Sequence, residues 1–213
     1  MSISTNMKRF FLAIVIGSIG LISFNLITSP AISMTKETEK KLDNTLYLTL
    51  KGGNVVVIEM LPEVAPKTVE RIKELSRQKF YDGLTFHRVI KGFMVQGGDP
   101  VGNGTGGSGK NIPAEFSRMP HSRGAVSMAR SANPNSADSQ FFIVTDNSNF
   151  LDGQYTVFGY VTSGMEYVDQ IKKGDERNNG TVSNPDKIVS MRVAIDVEKE
   201  KAKSKPNESE EVE

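Results

Sequence analysis

Short β-patterned runs separated by glycine-bearing turns dominate this chain and leave little of it for helices. Leu46, Leu48 and Leu50 alternate with Tyr47 and Thr49, and Gly52-Gly53-Asn54 then turns the chain into Val55–Leu61, a hairpin pattern. Thr85–Ile90, Gly124–Ala129, Gln140–Thr145, Thr156–Val161 and Lys187–Val197 read as further strands. Ala65-Pro66-Lys67-Thr68 opens a helix with proline in its first turn. Val69, Ile72 and Leu75 form its apolar stripe, and it ends near Gln78–Lys79. Met165, Val168 and Ile171 give helical spacing over Gly164–Lys173. Many short strands with so few helices predict an all-β barrel or sandwich, its folded core spanning residues 45–197.

The flanks read differently. Lys8 and Arg9 precede the uncharged run Phe10–Ile27, and Ala31 and Ser33 follow as small residues. That is the layout of a signal peptide cleaved after Ser33. A membrane anchor is the alternative, because ~18 residues is the lower limit of a span. Asn25 and the glycines and serines of the run weaken that reading. A buried core helix is the third. Either of the first two exports the domain. The expected location is the bacterial periplasm, with inner-membrane anchoring facing the periplasm or a eukaryotic secretory compartment as alternatives. Residues 34–44 read as a polar linker and 198–213 as a disordered charged tail. The glycosylation-type triplets at Asn103, Asn179 and Asn207 are too common to decide the compartment.

Composition removes several function classes. With 26 basic and 25 acidic side chains there is no case for a nucleic-acid partner. The absence of cysteine excludes disulfides, thiolate catalysis and Cys-ligated zinc. His87 and His121 are the only histidines, and neither a metal nor a cofactor is expected. Alternation places His87 on the face opposite Phe86 and Arg88. Gly102–Gly107 matches G-x-G-x-x-G, and Gly104–Lys110 matches G-x-x-x-x-G-K with Asn111 in the Ser/Thr position. Both motifs need a strand before and a helix after. Pro113 and the lack of helical periodicity before Gly124 argue for a loop shaping a rim. A Ser/His/Asp set is possible by composition, but no G-x-S-x-G elbow is present.

What remains is a cation beside apolar side chains. Phe86–Asp99, F-H-R-V-I-K-G-F-M-V-Q-G-G-D, sets Arg88 in a strand and follows it with Phe93, Met94 and Gln96. Ser139–Val144 puts Gln140 and Phe142 on one strand face, and Phe150–Tyr155 adds a further aromatic–aliphatic pair. Taken singly, each apolar residue reads as core packing and Arg88 as a solvated surface residue. Together they supply an apolar pocket with aromatic and thioether walls and one guanidinium at its edge. Such a site has no nucleophile and works through a fixed charge.

Three ordered blocks carry a resemblance to the cyclophilin family of peptidyl-prolyl cis–trans isomerases across roughly residues 45–197. They are F-H-R-V-I-K-G-F-M-V-Q-G-G-D, S-M-A-R-S-A-N-P-N-S-A-D-S-Q-F-F-I and F-L-D-G-Q-Y-T-V-F-G; the S-M-A-R form resembles the bacterial type. The resemblance implies a closed eight-stranded antiparallel barrel capped by two α-helices, with an external substrate groove. It implies Arg88 and Gln96 as catalytic residues and Phe93, Met94, Phe142 and Leu151 as the proline pocket. Ala129, Arg130, Gln140, Phe150 and Tyr155 fall on further groove positions, Arg130 where members often carry asparagine. The implied activity is rotation about X–Pro bonds in proline-containing unfolded or flexible polypeptides, assisting exported proteins. A non-catalytic proline-peptide chaperone or scaffold is the alternative. A monomer is expected, touching a membrane only through an uncleaved N-terminus. Phe150 and Tyr155 stand where many members have tryptophan and histidine, which implies weakened binding of cyclosporin-type inhibitors.

Overall fold

Hydrophobic alternation sets the architecture. In the computed structural model, which describes residues 34–204, eight short strands form one antiparallel sheet. They are β1 (Thr45–Thr49), β2 (Val55–Met60), β3 (Arg88–Ile90), β4 (Met94–Gly97), β5 (Ala125–Met128), β6 (Phe141–Val144), β7 (Val157–Ser163) and β8 (Ser190–Val193). Their order is β3-β4-β6-β5-β7-β2-β1-β8. Register shifts between Val57 and Ile58 and between Val126 and Ser127 bend the sheet at β7. Leu46, Leu48, Val56, Ile58, Val95, Phe141, Ile143 and Phe158 fill its inner face.

Continuous ladders stop between β3 and β8, so the expected closed barrel is a curled sheet with a seam. Gly83 N donates to Ile188 O at 2.8 Å across it, Ile188 N to Leu84 O at 2.8 Å, and Phe86 N to Asp186 O at 3.0 Å. An isolated antiparallel bridge, Thr85 with Lys187, forms there, and just before it Asn184 has φ 51° and Pro185 lacks an N–H. β4 is a strand the sequence pattern did not predict, since the expected strand there ended at Ile90. The Lys91-Gly92 turn folds β4 back on β3 as a hairpin, with Gly92 at φ 70°.

The helix α2 (Pro66–Arg77) buries Val69, Ile72 and Leu75 as the periodicity predicts, and Thr68, Arg71 and Ser76 with them. The second helical pattern is α3 (Met165–Gln170), shorter than expected at its C-terminal end. Two further α-helices lie in segments read as a linker and a tail. The first, α1 (Lys36–Asp43), is capped by Thr35 Oγ accepting from Thr38 N at 3.2 Å. The other, α4 (Ala194–Ser204), begins where the last strand was expected to continue. Their short apolar content hid them. α1 buries no residue and packs against α4, and charge pairs secure that region: Asp43 meets Lys73 at 2.6 Å and Arg77 at 3.0 Å, and Arg77 meets Asp196 at 2.8 Å. The expected signal segment 1–33 and residues 205–213, with the Asn207 triplet, lie outside the described residues.

Gly98 joins β4 to the loop beyond it at φ 83°, and a Cβ there would sit 2.5 Å from Ser139 O. Left-handed backbone and this close approach both disfavour any side chain. Gly98→Ala is expected to destabilise the domain by more than about 2 kcal/mol. The check is a urea unfolding curve with a lowered midpoint and unchanged slope.

Candidate active site

β4 and β6 have two apolar faces. Val95, Phe141 and Ile143 point into the main core, while Met94, Phe142 and Val144 form a second cluster on the outer face with Ala125 and Leu151. The 3-10 turn Asn149–Leu151 and the residues to Tyr155 cover part of that outer face. What stays open is a groove of about 650 Å³. Arg88, Phe93, Met94, Gln96, Ala129, Arg130, Phe142, Phe150, Leu151 and Tyr155 all line it. Gln140 lines an adjoining depression of about 260 Å³ that shares Gln96, Ala129 and Arg130.

The floor is buried: Met94 is 1% exposed, Phe142 5% and Leu151 8%. Phe93 packs against Phe150, ring centres 5.4 Å apart, and Phe150 stands 66% exposed at the rim. Arg88 reaches over this floor. Its Nε donates to Asn179 O at 3.0 Å, its Nη2 to Asn179 Oδ1 at 2.9 Å and its Nη1 to Gln96 Oε1 at 3.1 Å. All three acceptors are neutral, and no described carboxylate forms a salt bridge to Arg88. Burial pushes its pKa below the ordinary arginine value, partly opposed by the Tyr155 phenol. The guanidinium nonetheless stays charged at physiological pH.

A relay continues from it. Gln96 Nε2 donates to Gln140 Oε1 at 2.9 Å, and Gln140 Nε2 donates to Gly104 O at 3.0 Å and Gly106 O at 2.8 Å. The glycine-rich loop that receives this relay is wound around buried Asp99, whose carboxylate accepts from the amides of Val101, Asn103 and Gly104. Burial tends to raise the Asp99 pKa, but these amides outweigh it and hold the carboxyl below its ordinary range. No helix follows the loop before β5, so neither phosphate-loop lookalike has the helix N-terminus it needs.

His87 overturns one expectation. Phe86 is fully buried in the main core, and it is His87 that lines the groove with Arg88. The strand starts only at Arg88, so strict alternation does not extend back to Phe86. His87 is 5% exposed and neither ring nitrogen has a partner. Burial, the larger effect, pushes its pKa below the ordinary value, and Asp99 opposes this.

Asn179, Thr181 and Val182 also line the groove and were not read from sequence as site residues. Asn179 lies 91 positions from Arg88, and its local signals, an Asn-Gly turn dipeptide and a glycosylation-type triplet, point to neither Arg88 nor a groove. Ala129 donates its N–H to Gln140 O at 3.0 Å, so the backbone group it leaves for a ligand is its carbonyl.

Behind Phe142, His121 stacks on the ring at 6.1 Å. Its Nδ1 lies 2.9 Å from Asp152 Oδ1 and its Nε2 3.1 Å from Ser127 Oγ. This Ser-His-Asp connectivity is sealed, with Ser127 and His121 both 0% exposed. It serves as a brace between β5 and the turn that carries Leu151. Among the described residues no group of three or more His, Cys, Asp or Glu side chains gathers as a metal site.

Comparison with known proteins gives this geometry its context. Residues 45–193 match the family model described as cyclophilin type peptidyl-prolyl cis-trans isomerase. A probable peptidyl-prolyl cis-trans isomerase of Brucella suis biovar 1 is 54% identical over 166 residues, covering 72% of this chain and 84% of that protein. Peptidyl-prolyl cis-trans isomerase B of Bacillus subtilis is 49% identical over 133 residues, covering 62% and 92%. Among solved structures, cyclophilin AquaCyp293 from Hirschia baltica aligns with TM-score 0.65 at 28% identity, covering 76% of this chain and 81% of that one. A Cryptosporidium parvum cyclophilin type isomerase, solved in the presence of the dipeptide Ala-Pro, aligns with TM-score 0.64 at 28% identity, covering 70% and 98%. The chain therefore belongs to the cyclophilin type peptidyl-prolyl cis-trans isomerases and is an enzyme of that activity.

Proposed function

We propose that this isomerase acts by binding the twisted X–Pro amide more tightly than either planar form, with Arg88 as the cation that makes the difference. Amide resonance sets a barrier of roughly 18–20 kcal/mol. Twisting the bond removes that resonance and leaves a lone pair on the proline nitrogen. A guanidinium held in place by neutral acceptors can donate to the deconjugating amide. It needs no reorganisation to do so, and nearby apolar walls strengthen the contact. Phe93, Met94, Phe142 and Leu151 hold the proline ring, while Gln96 fixes Arg88 and Gln140 fixes Gln96. Ala129 offers its carbonyl to the substrate backbone, and Arg130, Phe150 and Tyr155 bound the groove. Each tenfold in rate asks for about 1.4 kcal/mol of differential binding.

The single observation that carries this reading is the half-buried Arg88 with only neutral partners beside a buried apolar floor. The Ala-Pro dipeptide present with the Cryptosporidium parvum relative supports proline peptides as the ligand class here. The basic and apolar segments before Ser33 support a role in folding exported proteins, and the S-M-A-R form of the second block favours the bacterial periplasm.

Arg88→Ala is expected to lower kcat/KM on an X–Pro peptide by about 10²–10³-fold, the scale of losing one preorganised donor. The thermal melt should keep its cooperative transition. Turnover equal to the wild type would remove Arg88 from the mechanism. The pH profile is a separate check. His87, the titratable group beside Arg88, has a pKa below its ordinary 6.5, so it is neutral throughout the neutral range. No lining carboxylate changes charge there. kcat/KM is therefore expected to be flat between about pH 7 and 9, whereas a bell-shaped profile would indicate proton transfer. Phe150→Trp adds an N–H donor and ring area at the rim and is expected to tighten cyclosporin binding about tenfold, read by competitive inhibition.

A further inference from the structure

We propose that the groove prefers proline peptides bearing a carboxylate side chain next to the proline, and that Arg130 sets this preference; the inference rests on the groove being the isomerase site. The whole chain is almost neutral, with a formal charge of +1. The groove is not: Arg88 and Arg130 line it, and no Asp or Glu does.

Arg130 is held by neutral groups alone. Its Nε and Nη2 donate to Gln154 O at 3.2 and 2.9 Å, and its Nη1 donates to Ser131 O at 2.9 Å and Ala132 O at 3.4 Å. The guanidinium lies 4.5 Å from the Tyr155 ring centre and 5.6 Å from that of Phe116. Rings and carbonyls fix its position without cancelling its charge. Of its five N–H donors, this set leaves an Nη2 hydrogen free for a ligand.

The nearby carboxylates are turned elsewhere. Asp99 is 1% exposed under its loop amides. Asp152 accepts from His121 N at 2.7 Å and faces the imidazole. Asp138 lines the adjoining depression with Arg130, but its oxygens accept from Ser108 Oγ and from the amides of Gly109 and Lys110.

Position adds to charge. Ala129, immediately before Arg130, has its N–H committed and its carbonyl in no described hydrogen bond. A substrate backbone pairing there brings a neighbouring side chain alongside Arg130. Two uncancelled cations over apolar walls attract an anionic side chain and repel a basic one, most strongly at low salt.

The test uses four peptides, with Glu or Lys placed either just before or just after a single proline. Exchange NMR with the purified protein reads the affinity and the cis–trans exchange of each in the same sample. The Glu peptide of the responsive pair is expected to bind about tenfold more tightly than its Lys partner at low ionic strength. Arg130→Gln should reduce that ratio to about twofold, and Arg130→Lys, which keeps the charge, should retain most of it. Equal affinities in the wild type, an unchanged ratio in Arg130→Gln, or a ratio insensitive to salt would each overturn the inference. Loss of exchange in every peptide with the ratio intact would instead overturn the isomerase assignment of the groove while upholding the charge preference.

Discussion

The groove depends on one register. Across β3, β4, β6 and β5, Val89 pairs with Val95, Val95 with Ile143 and Ile143 with Val126. All four are buried in the main core. The adjacent row, one residue along each strand, reads Arg88, Gln96, Phe142, Ser127. Side chains alternate faces, so the row that packs the core forces the next row outward. A one-residue slip would bury Arg88 and expose four valine or isoleucine side chains. Burial of each such side chain contributes about 1.5–3 kcal/mol, so the core holds the groove row in place far more firmly than the groove's own contacts could.

That arrangement lets a charge sit where it would otherwise be unfavourable. A half-buried guanidinium ordinarily finds a carboxylate, and α2 shows the usual solution, with Arg71 on Glu74 at 2.7 Å. Arg88 has amide and carbonyl oxygens instead. These satisfy its donors in part and leave the charge uncancelled, which is the state a ligand with a developing lone pair requires. The acceptor from furthest along the chain, Asn179, adopts φ 50°, a conformation uncommon for a residue other than glycine. Asparagine is among the residues that enter this region most readily, and the following Gly180 fits against Ile90 and Val89, where a Cβ would collide with the Ile90 side chain.

Much of this was legible in the sequence because the defining row is built from local patterns. Phe93, Met94, Gln96, Gln140 and Phe142 sit in short runs whose alternation and neighbours can be read directly, and the family resemblance orders those runs. Asn179 was not legible, since nothing in its own neighbourhood records a partner 91 residues away. His87 was misplaced because alternation was extended through residues that precede the strand, where the chain follows the seam and not a ladder. The helices α1 and α4 escaped because hydrophobic periodicity is the signal for a helix that buries a face. α1 buries none and α4 buries only Ala194 and Ile195, and charge pairs such as Asp43 with Lys73 leave no periodic trace.

The sealed Ser127–His121–Asp152 set shows why residue identity alone misleads in such a fold. Its spacing, 3.1 and 2.9 Å, would suit acyl transfer if the serine met a substrate. Ser127 instead stands in the groove row itself, one strand beyond Phe142, and its Oγ also lies 2.9 Å from Thr156 O. With no access, the imidazole has a mechanical task. It stacks on the back of Phe142 and, through Asp152, holds the turn carrying Leu151. Two walls of the apolar floor are thus tied to one buried ring. A rigid floor matters more here than in a site that makes and breaks bonds. Discrimination between planar and twisted amides rests on shape and on where one fixed charge lies relative to the proline ring.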